Sequence, residues 1–135
     1  MFKIIICTAS FFVLGFMNSS AKTNLERYEK EMSKYKQTNV FEKCVRTRFI
    51  KQTKVLDDNH IIFEMGNRKV FLNTLDHKCS RLGFERSITY SVRGGRLCST
   101  DVVSVLDTTL GAGPACFLGK FQVLEKLPKD KASSR

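Results

Sequence analysis

Residues 45–73 read VRTRFIKQTKVLDDNHIIFEMGNRKVFLN, and alternation with a period of two runs through them. From His60 to Met65 it is cleanest. Ile61, Phe63 and Met65 face one way, and His60, Ile62 and Glu64 face the other. Successive side chains of a strand point to opposite faces, so this segment reads as a strand. Residues 45–50 read as a strand before it, with Val45, Thr47 and Phe49 on one face and Arg46 and Arg48 on the other. Asp57-Asp58-Asn59 is turn chemistry, because short polar side chains bond their own backbone. Gly66-Asn67 reads as a tight hairpin turn, in which glycine accepts a positive φ. Residues 69–73 return, with Val70 and Leu72 opposite Phe71 and Asn73. Residues 45–73 are therefore expected to form a three-stranded meander.

Beyond the meander, residues 74–85 lose the alternation. A short helix capped by Asn73 or Thr74 would bury Leu75, Cys79 and Leu82 on one side. Residues 87–93 form a strand with Ile88, Tyr90 and Val92 on one face, and Gly94-Gly95 turns it back into residues 96–98. Residues 101–106 and 117–126 add strands, residues 107–115 a loop, and residues 127–135 a polar, disordered tail. Before the meander, residues 23–37 read as a helix. Thr23 and Glu26 fit a capping box, and Leu25, Tyr28, Met32 and Tyr35 make an apolar stripe. Its other face mixes Glu with Lys, which favours packing on its own domain over a membrane surface. The fold class is thus mainly β: a small disulfide-stapled β-barrel or β-roll, OB-like or SH3-like, with an N-terminal helix.

The first residues place the chain in an oxidising compartment. Lys3 gives a positive start, residues 4–17 are almost wholly apolar, and Ser19-Ser20-Ala21 are small. Residues 1–21 read as a secretory signal peptide cut after Ala21, since the apolar run is shorter than the roughly 20 residues of a spanning helix. Cys7 lies too early to become a lipidated N-terminus. The expected organisation is a signal over residues 1–21, an amphipathic helix and linker over 22–39, a β domain over 40–126, and the tail. The exported chain, periplasmic or secreted, has no transmembrane segment after cleavage. Cys44, Cys79, Cys98 and Cys116 then read as two disulfides. Four cysteines allow three pairings. The favoured one, Cys44–Cys116 with Cys79–Cys98, ties the ends of the domain and clamps a hairpin. Their even spread contains no C-x-x-C, which argues against zinc and against a thioredoxin-like centre.

The whole chain carries 23 Lys+Arg against 13 Asp+Glu, a net charge of +10. Such a charge draws anions without specifying a site. Enzyme signatures are thin. His60 lies near Asp57 and Asp58, a pair that could act as a general base in a hydrolase, but no G-x-S-x-G elbow supplies a nucleophile. His77 precedes Cys79, which disulfide formation would silence. Asp57, Asp58, Asn59 and Glu64 lack the ligand pattern of an EF-hand. Gly111-Ala112-Gly113-Pro114 lacks the G-K-[ST] of a phosphate loop. No metal or cofactor is expected, and no enzyme activity.

Four motifs in order carry a resemblance. They are Val55-Leu56-Asp57-Asp58 before a hairpin, Asn73-x-Leu75 leading to Cys79-x-x-Leu82, Gly95-Arg96-Leu97-Cys98-x-x-Asp101, and Cys116-x-Leu118-Gly119-x-Phe121. Over residues 43–124 the chain resembles a family of small exported bacterial proteins classed as a domain of unknown function. The resemblance implies export and four landmark cysteines, and no activity. The family pattern carries Gly or Pro after the cysteine equivalent to Cys79, where this chain has Ser80-Arg81.

The functional expectation rests on the basic residues. Arg46 and Arg48 share a strand face, Arg68 and Lys69 sit at one hairpin tip, and Arg93 and Arg96 flank another turn. Lys51 and Lys54 lie nearby. If the tips converge they form an anion-binding surface, and Tyr90 or Phe71 beside it would favour stacking on nucleic acid or sugar. The expected partner is an anionic envelope component or a protein, with nucleic acid disfavoured in this compartment. The rival reading is a structural or stress-related envelope protein with no ligand site.

Overall fold

A computed structural model describes residues 19–129. Residues 1–18 of the expected signal peptide, Cys7 included, and the end of the tail lie outside them, while Ser19-Ser20-Ala21 of the expected cleavage motif fall inside the first helix. Helix α1 spans Ser19–Met32. Ten strands follow in three sheets. They are β1 (Tyr35–Glu42), β2 (Cys44–Arg46), β3 (Ile50–Val55), β4 (His60–Met65), β5 (Val70–Thr74), β6 (Ile88–Tyr90), β7 (Arg96–Cys98), β8 (Val102–Asp107), β9 (Gly111–Phe117) and β10 (Phe121–Lys126). Strands β1-β10-β5-β4-β3 form one antiparallel sheet, β2-β7 a second and β6-β8-β9 a third. The protein is mainly β with an N-terminal helix, and the sheets do not close into a barrel.

Both faces of the five-stranded sheet are covered. On one, Ile61, Phe63, Met65, Phe71 and Phe121 pack with Val45 and Leu97 of the two-stranded sheet and Val103 and Val105 of the three-stranded one. Phe63 and Phe121 meet edge to face at 5.4 Å. On the other, Ile62, Val70, Leu72 and Leu124 pack with Met32 and Tyr28 of α1. Alternation in β4 thus feeds two cores, and α1 is the lid of the second. Burial at roughly 25 cal/mol per Å² makes these faces the main favourable term. Lys54 fastens the lid: its ammonium lies 2.9 Å from Glu31 of α1 and 2.7 Å from Glu64 of β4.

Several boundaries differ from the sequence reading. The helix ends at Met32 and not at residue 37. Residues 33–34 turn the chain, and Tyr35 pairs with Lys126 in the first register of β1. The domain boundary drawn at residue 40 therefore falls inside β1. The strand expected over residues 45–50 is broken. β2 stops at Arg46, Thr47–Phe49 form a 3-10 turn, and the meander begins at Ile50. The helix expected over residues 74–85 is one turn, α2 (Leu82–Glu85), although Leu75, Cys79 and Leu82 are all buried as expected. Asn73 is no cap. It is fully buried in β5, where its side chain donates to the Gly119 carbonyl (2.7 Å) and accepts the Gly119 N–H (2.9 Å). In the β4–β5 turn the positive φ falls on Arg68 and not on Gly66. Gly94 and Gly95 do take φ near +69° and +68°, but the strands they join, β6 and β7, lie in different sheets. The expected 107–115 loop contains most of β9, recruited by pairing with β8.

The cysteines pair as Cys44–Cys98 and Cys79–Cys116, which replaces the favoured alternative. The reason is topological. Cys44 and Cys98 face each other directly in the β2–β7 ladder, with Cα atoms 3.9 Å apart. Cys116 sits in β9, whose existence the sequence reading lacked, and from there it reaches Cys79 before α2.

Candidate functional site

The β2–β7 ribbon has three register pairs: Cys44 with Cys98, Val45 with Leu97, and Arg46 with Arg96. Period two sends Val45 and Leu97 into the core and leaves the disulfide and both arginines on the outer face. Two arginines are therefore directly opposed cross-strand partners. Neither makes a side-chain hydrogen bond or ion pair with any described residue. Like charges at opposed positions destabilise a ladder, and the disulfide at the ribbon's other end holds it together.

Arg48 joins them through the 3-10 turn. The Thr47 N–H and hydroxyl both donate to the Gly95 carbonyl, at 3.0 and 3.1 Å, and bring the turn against Gly94-Gly95. The Arg48 guanidinium lies 4.7 Å from the Phe49 ring centroid, a cation–π contact. Arg46, Thr47, Arg48, Gly94, Gly95 and Arg96 line a hollow of about 290 Å³ with no carboxylate among them. A second hollow, of about 270 Å³, adjoins it and shares Arg46 and Arg96. Its walls include the apolar side chains Val45, Phe49, Met65 and Phe71, with Glu42, Asn67 and Lys69 beside them. The Lys69 ammonium lies 3.3 Å from Glu42, which pairs with it.

Of the six predicted cations, the structure gathers Arg46, Arg48 and Arg96, and puts Lys69 on the neighbouring rim. Arg68 and Arg93 line neither hollow. The geometry also differs from convergent hairpin tips: Arg46 and Arg96 are cross-strand partners, and the strand break removes the shared face assumed for Arg46 and Arg48. Lys54 is engaged with Glu31 and Glu64. Phe71 is 1% exposed and serves the core, backing the second hollow from inside, so Phe49 is the exposed aromatic beside the cations and Tyr90 lines neither hollow.

His60 has a structural setting. Its Nδ1 lies 2.9 Å from both oxygens of Asp57, and its ring packs at 4.7 Å from Tyr28 of α1. Asp57 also accepts the backbone N–H groups of Asn59 and His60, at 2.7 and 2.8 Å. Burial pushes the Asp57 carboxyl up, but the His60 ring and these N–H donors outweigh it and hold the pKa below the usual range. The pair braces the β3–β4 turn under α1. His77 is exposed and Cys79 is bridged, so no thiolate stands beside it. Among the described residues no group of three or more His, Cys, Asp or Glu is placed to hold a metal.

A third cationic cleft escaped the sequence reading, since only the docking of α1 on α2 creates it. Arg27, Arg81 and Arg86 surround it with Asn24, Asp58 and Phe84. Two of its cations are committed. Arg27 donates to the carbonyls of Leu56 and Gly83, both at 3.1 Å, and Arg81 reaches Glu85 (2.6 Å) and Asp107 (2.7 Å).

The motifs noted in the sequence all have structural work. Asp58 accepts the Gly83 N–H at 2.8 Å, Asp101 accepts the Cys98 N–H at 2.6 Å, and Gly119 clasps Asn73. Arg81, just before α2, takes φ +68°. The family model for a family of unknown function (DUF6491) matches residues 1–132, and the chain belongs to that family. No curated protein and no solved structure matches the chain.

Proposed function

Since the family supplies no activity, we propose from the site alone that this is an exported, non-enzymatic protein that binds an anionic ligand on Arg46, Arg48 and Arg96. The observation that carries the reading is the unpaired Arg46–Arg96 opposition. A like-charge cross-strand pair costs stability, and a bound anion would offset that cost by bridging both guanidiniums. Arg48 supplies a third set of donors from the 3-10 turn. The ligand belongs to the envelope or to a partner protein's acidic surface. Two disulfides among the described residues fit an oxidising compartment, as does the apolar N-terminal segment read as a secretory signal.

The test is binding of the mature protein to lipopolysaccharide, anionic vesicles, single-stranded nucleic acid and an acidic glycan across a salt series. Selective binding that weakens with salt and is lost in Arg46→Ala and Arg96→Ala supports the reading. Binding that survives both substitutions refutes it.

A further inference from the structure

Arg46 and Arg96 are shared walls of two unlike hollows, and this juxtaposition points beyond a bare anion site. On one side lie Arg48, the Thr47 turn and Gly94-Gly95, with no carboxylate among them. On the other lie the apolar side chains Val45, Phe49, Met65 and Phe71, together with Glu42, Asn67 and Lys69. We infer that the ligand is a small amphiphilic anion. Its phosphate or carboxylate sits on Arg46, Arg48 and Arg96, and a short alkyl or aryl group enters the apolar hollow. The inference rests on the anion-binding reading above and adds the apolar half.

The one carboxylate fixes the orientation. The hollow that holds Val45 and Phe49 is also lined by the Glu42–Lys69 ion pair. An anionic head there would meet a carboxylate and a cation already neutralised. On the Arg48 side it would meet three guanidiniums and no acid. The size sets the scale of the tail. A hollow of about 270 Å³ is at the lower end of small-molecule sites, so it takes a short chain segment or one ring. Each methylene that leaves water contributes about 0.8 kcal/mol, which tightens binding roughly fourfold.

The experiment is calorimetric titration of the mature, disulfide-intact protein with methyl, butyl and octyl phosphate, each below its micelle concentration. The variant is Asn67→Trp. Asn67 lines the hollow proposed for the tail and not the one that Arg48 lines, so a large ring there blocks the tail and spares the head. The expected result is more than tenfold tighter binding of butyl than of methyl phosphate. Asn67→Trp should remove that gain and leave methyl phosphate unchanged. Equal affinity for methyl and butyl phosphate overturns this inference and leaves the anion reading standing. No binding of either overturns both. A chain-length gain that survives Asn67→Trp places the tail elsewhere and also overturns the inference. If Asn67→Trp loses its cooperative melt, Phe49→Ala replaces it: a chain-length gain that shrinks supports the inference, and one that persists overturns it. Sedimentation with phosphatidic acid vesicles separates the sources. Vesicle binding blocked by Asn67→Trp assigns the ligand to a lipid, and binding of the free phosphates alone assigns it to a soluble molecule.

Discussion

Neutralising one arginine of the opposed pair should make the protein more stable and a poorer ligand binder at once. Arg46→Gln keeps most of the aliphatic stem and removes the charge facing Arg96 across the β2–β7 ladder. A like-charge pair at opposed positions destabilises by roughly 0.2–1 kcal/mol, so Arg46→Gln and Arg96→Gln should each raise stability by about that much. The double variant should gain little beyond either single one, because the repulsion can be removed only once. The double-mutant cycle should therefore return a repulsive coupling of the same size. Urea midpoints at unchanged slope give the numbers, with disulfides intact. In 1 M salt the screening length falls to roughly 3 Å and the coupling should shrink towards zero. Adding a binding anion should reverse the order. The parent gains about 2.7 kcal/mol at a hundredfold excess over Kd, and the variants gain less. A zero or attractive coupling at low salt, or one indifferent to salt, would refute the claim that the two guanidiniums face each other unrelieved.

Other expectations follow from the staples and the buried polar groups. Replacing Cys44 and Cys98 by Ser should cost about 4 kcal/mol in the chain-entropy account, and Cys79 with Cys116 slightly less, since they close 54- and 37-residue separations. Non-reducing peptide mapping should return these two pairs, and denaturant melts the loss. Asn73→Ala should cost about 2–5 kcal/mol, because it strands the buried N–H and carbonyl of Gly119. Gly119→Ala should also destabilise strongly, since its new methyl would overlap the Thr74 carbonyl; a Gly66→Ala control meets only ordinary contact, 3.7 Å from the Phe49 carbonyl. Acid should loosen α1. The Lys54 ammonium holds the Glu64 carboxyl below its usual range, and for Glu31 the Lys34 and Lys54 contacts overcome an upward push from burial. Depressed carboxyl pKa values contribute stability above the unfolded value near 4.5, and that stability is lost as pH falls through the folded values. The stability gap between the parent and Lys54→Met should thus be full at pH 7 and shrink below pH 4.5, read from urea midpoints at several pH values.

The readable parts of the chain were those where burial follows a local period. β4 and β5 alternate, and their turn residues are where short polar chemistry puts them. β1 was hidden because its sequence, YKQTNVFE, buries only Tyr35 fully, and that residue falls three beyond Met32. An i,i+3 apolar pair reads as one more helical turn, although Met32 and Tyr35 enter the same core from a helix and a strand. β9 was hidden because Gly111, Gly113 and Pro114 are poor strand formers, and tertiary pairing with β8 overrides that preference. Three of the site's cations were legible as charge. Their opposition was not, because Arg46 and Arg96 are fifty positions apart and meet only through the ladder.

The order of the cysteines along the chain has a consequence for biosynthesis. The bridges interleave: of the four cysteines from Cys44 onward, the first joins the third, and the second joins the fourth. A chain that becomes available from its N-terminus offers Cys44 and Cys79 to an oxidant before Cys98 exists to compete. Pairing by order of arrival gives a bridge the finished protein does not contain, and a second wrong one follows by default. Reaching the native state then takes thiol–disulfide exchange through mixed intermediates, which runs over seconds to hours and is faster with an isomerase. Yield in a producing cell should therefore follow its capacity to shuffle bridges more closely than its capacity to make them.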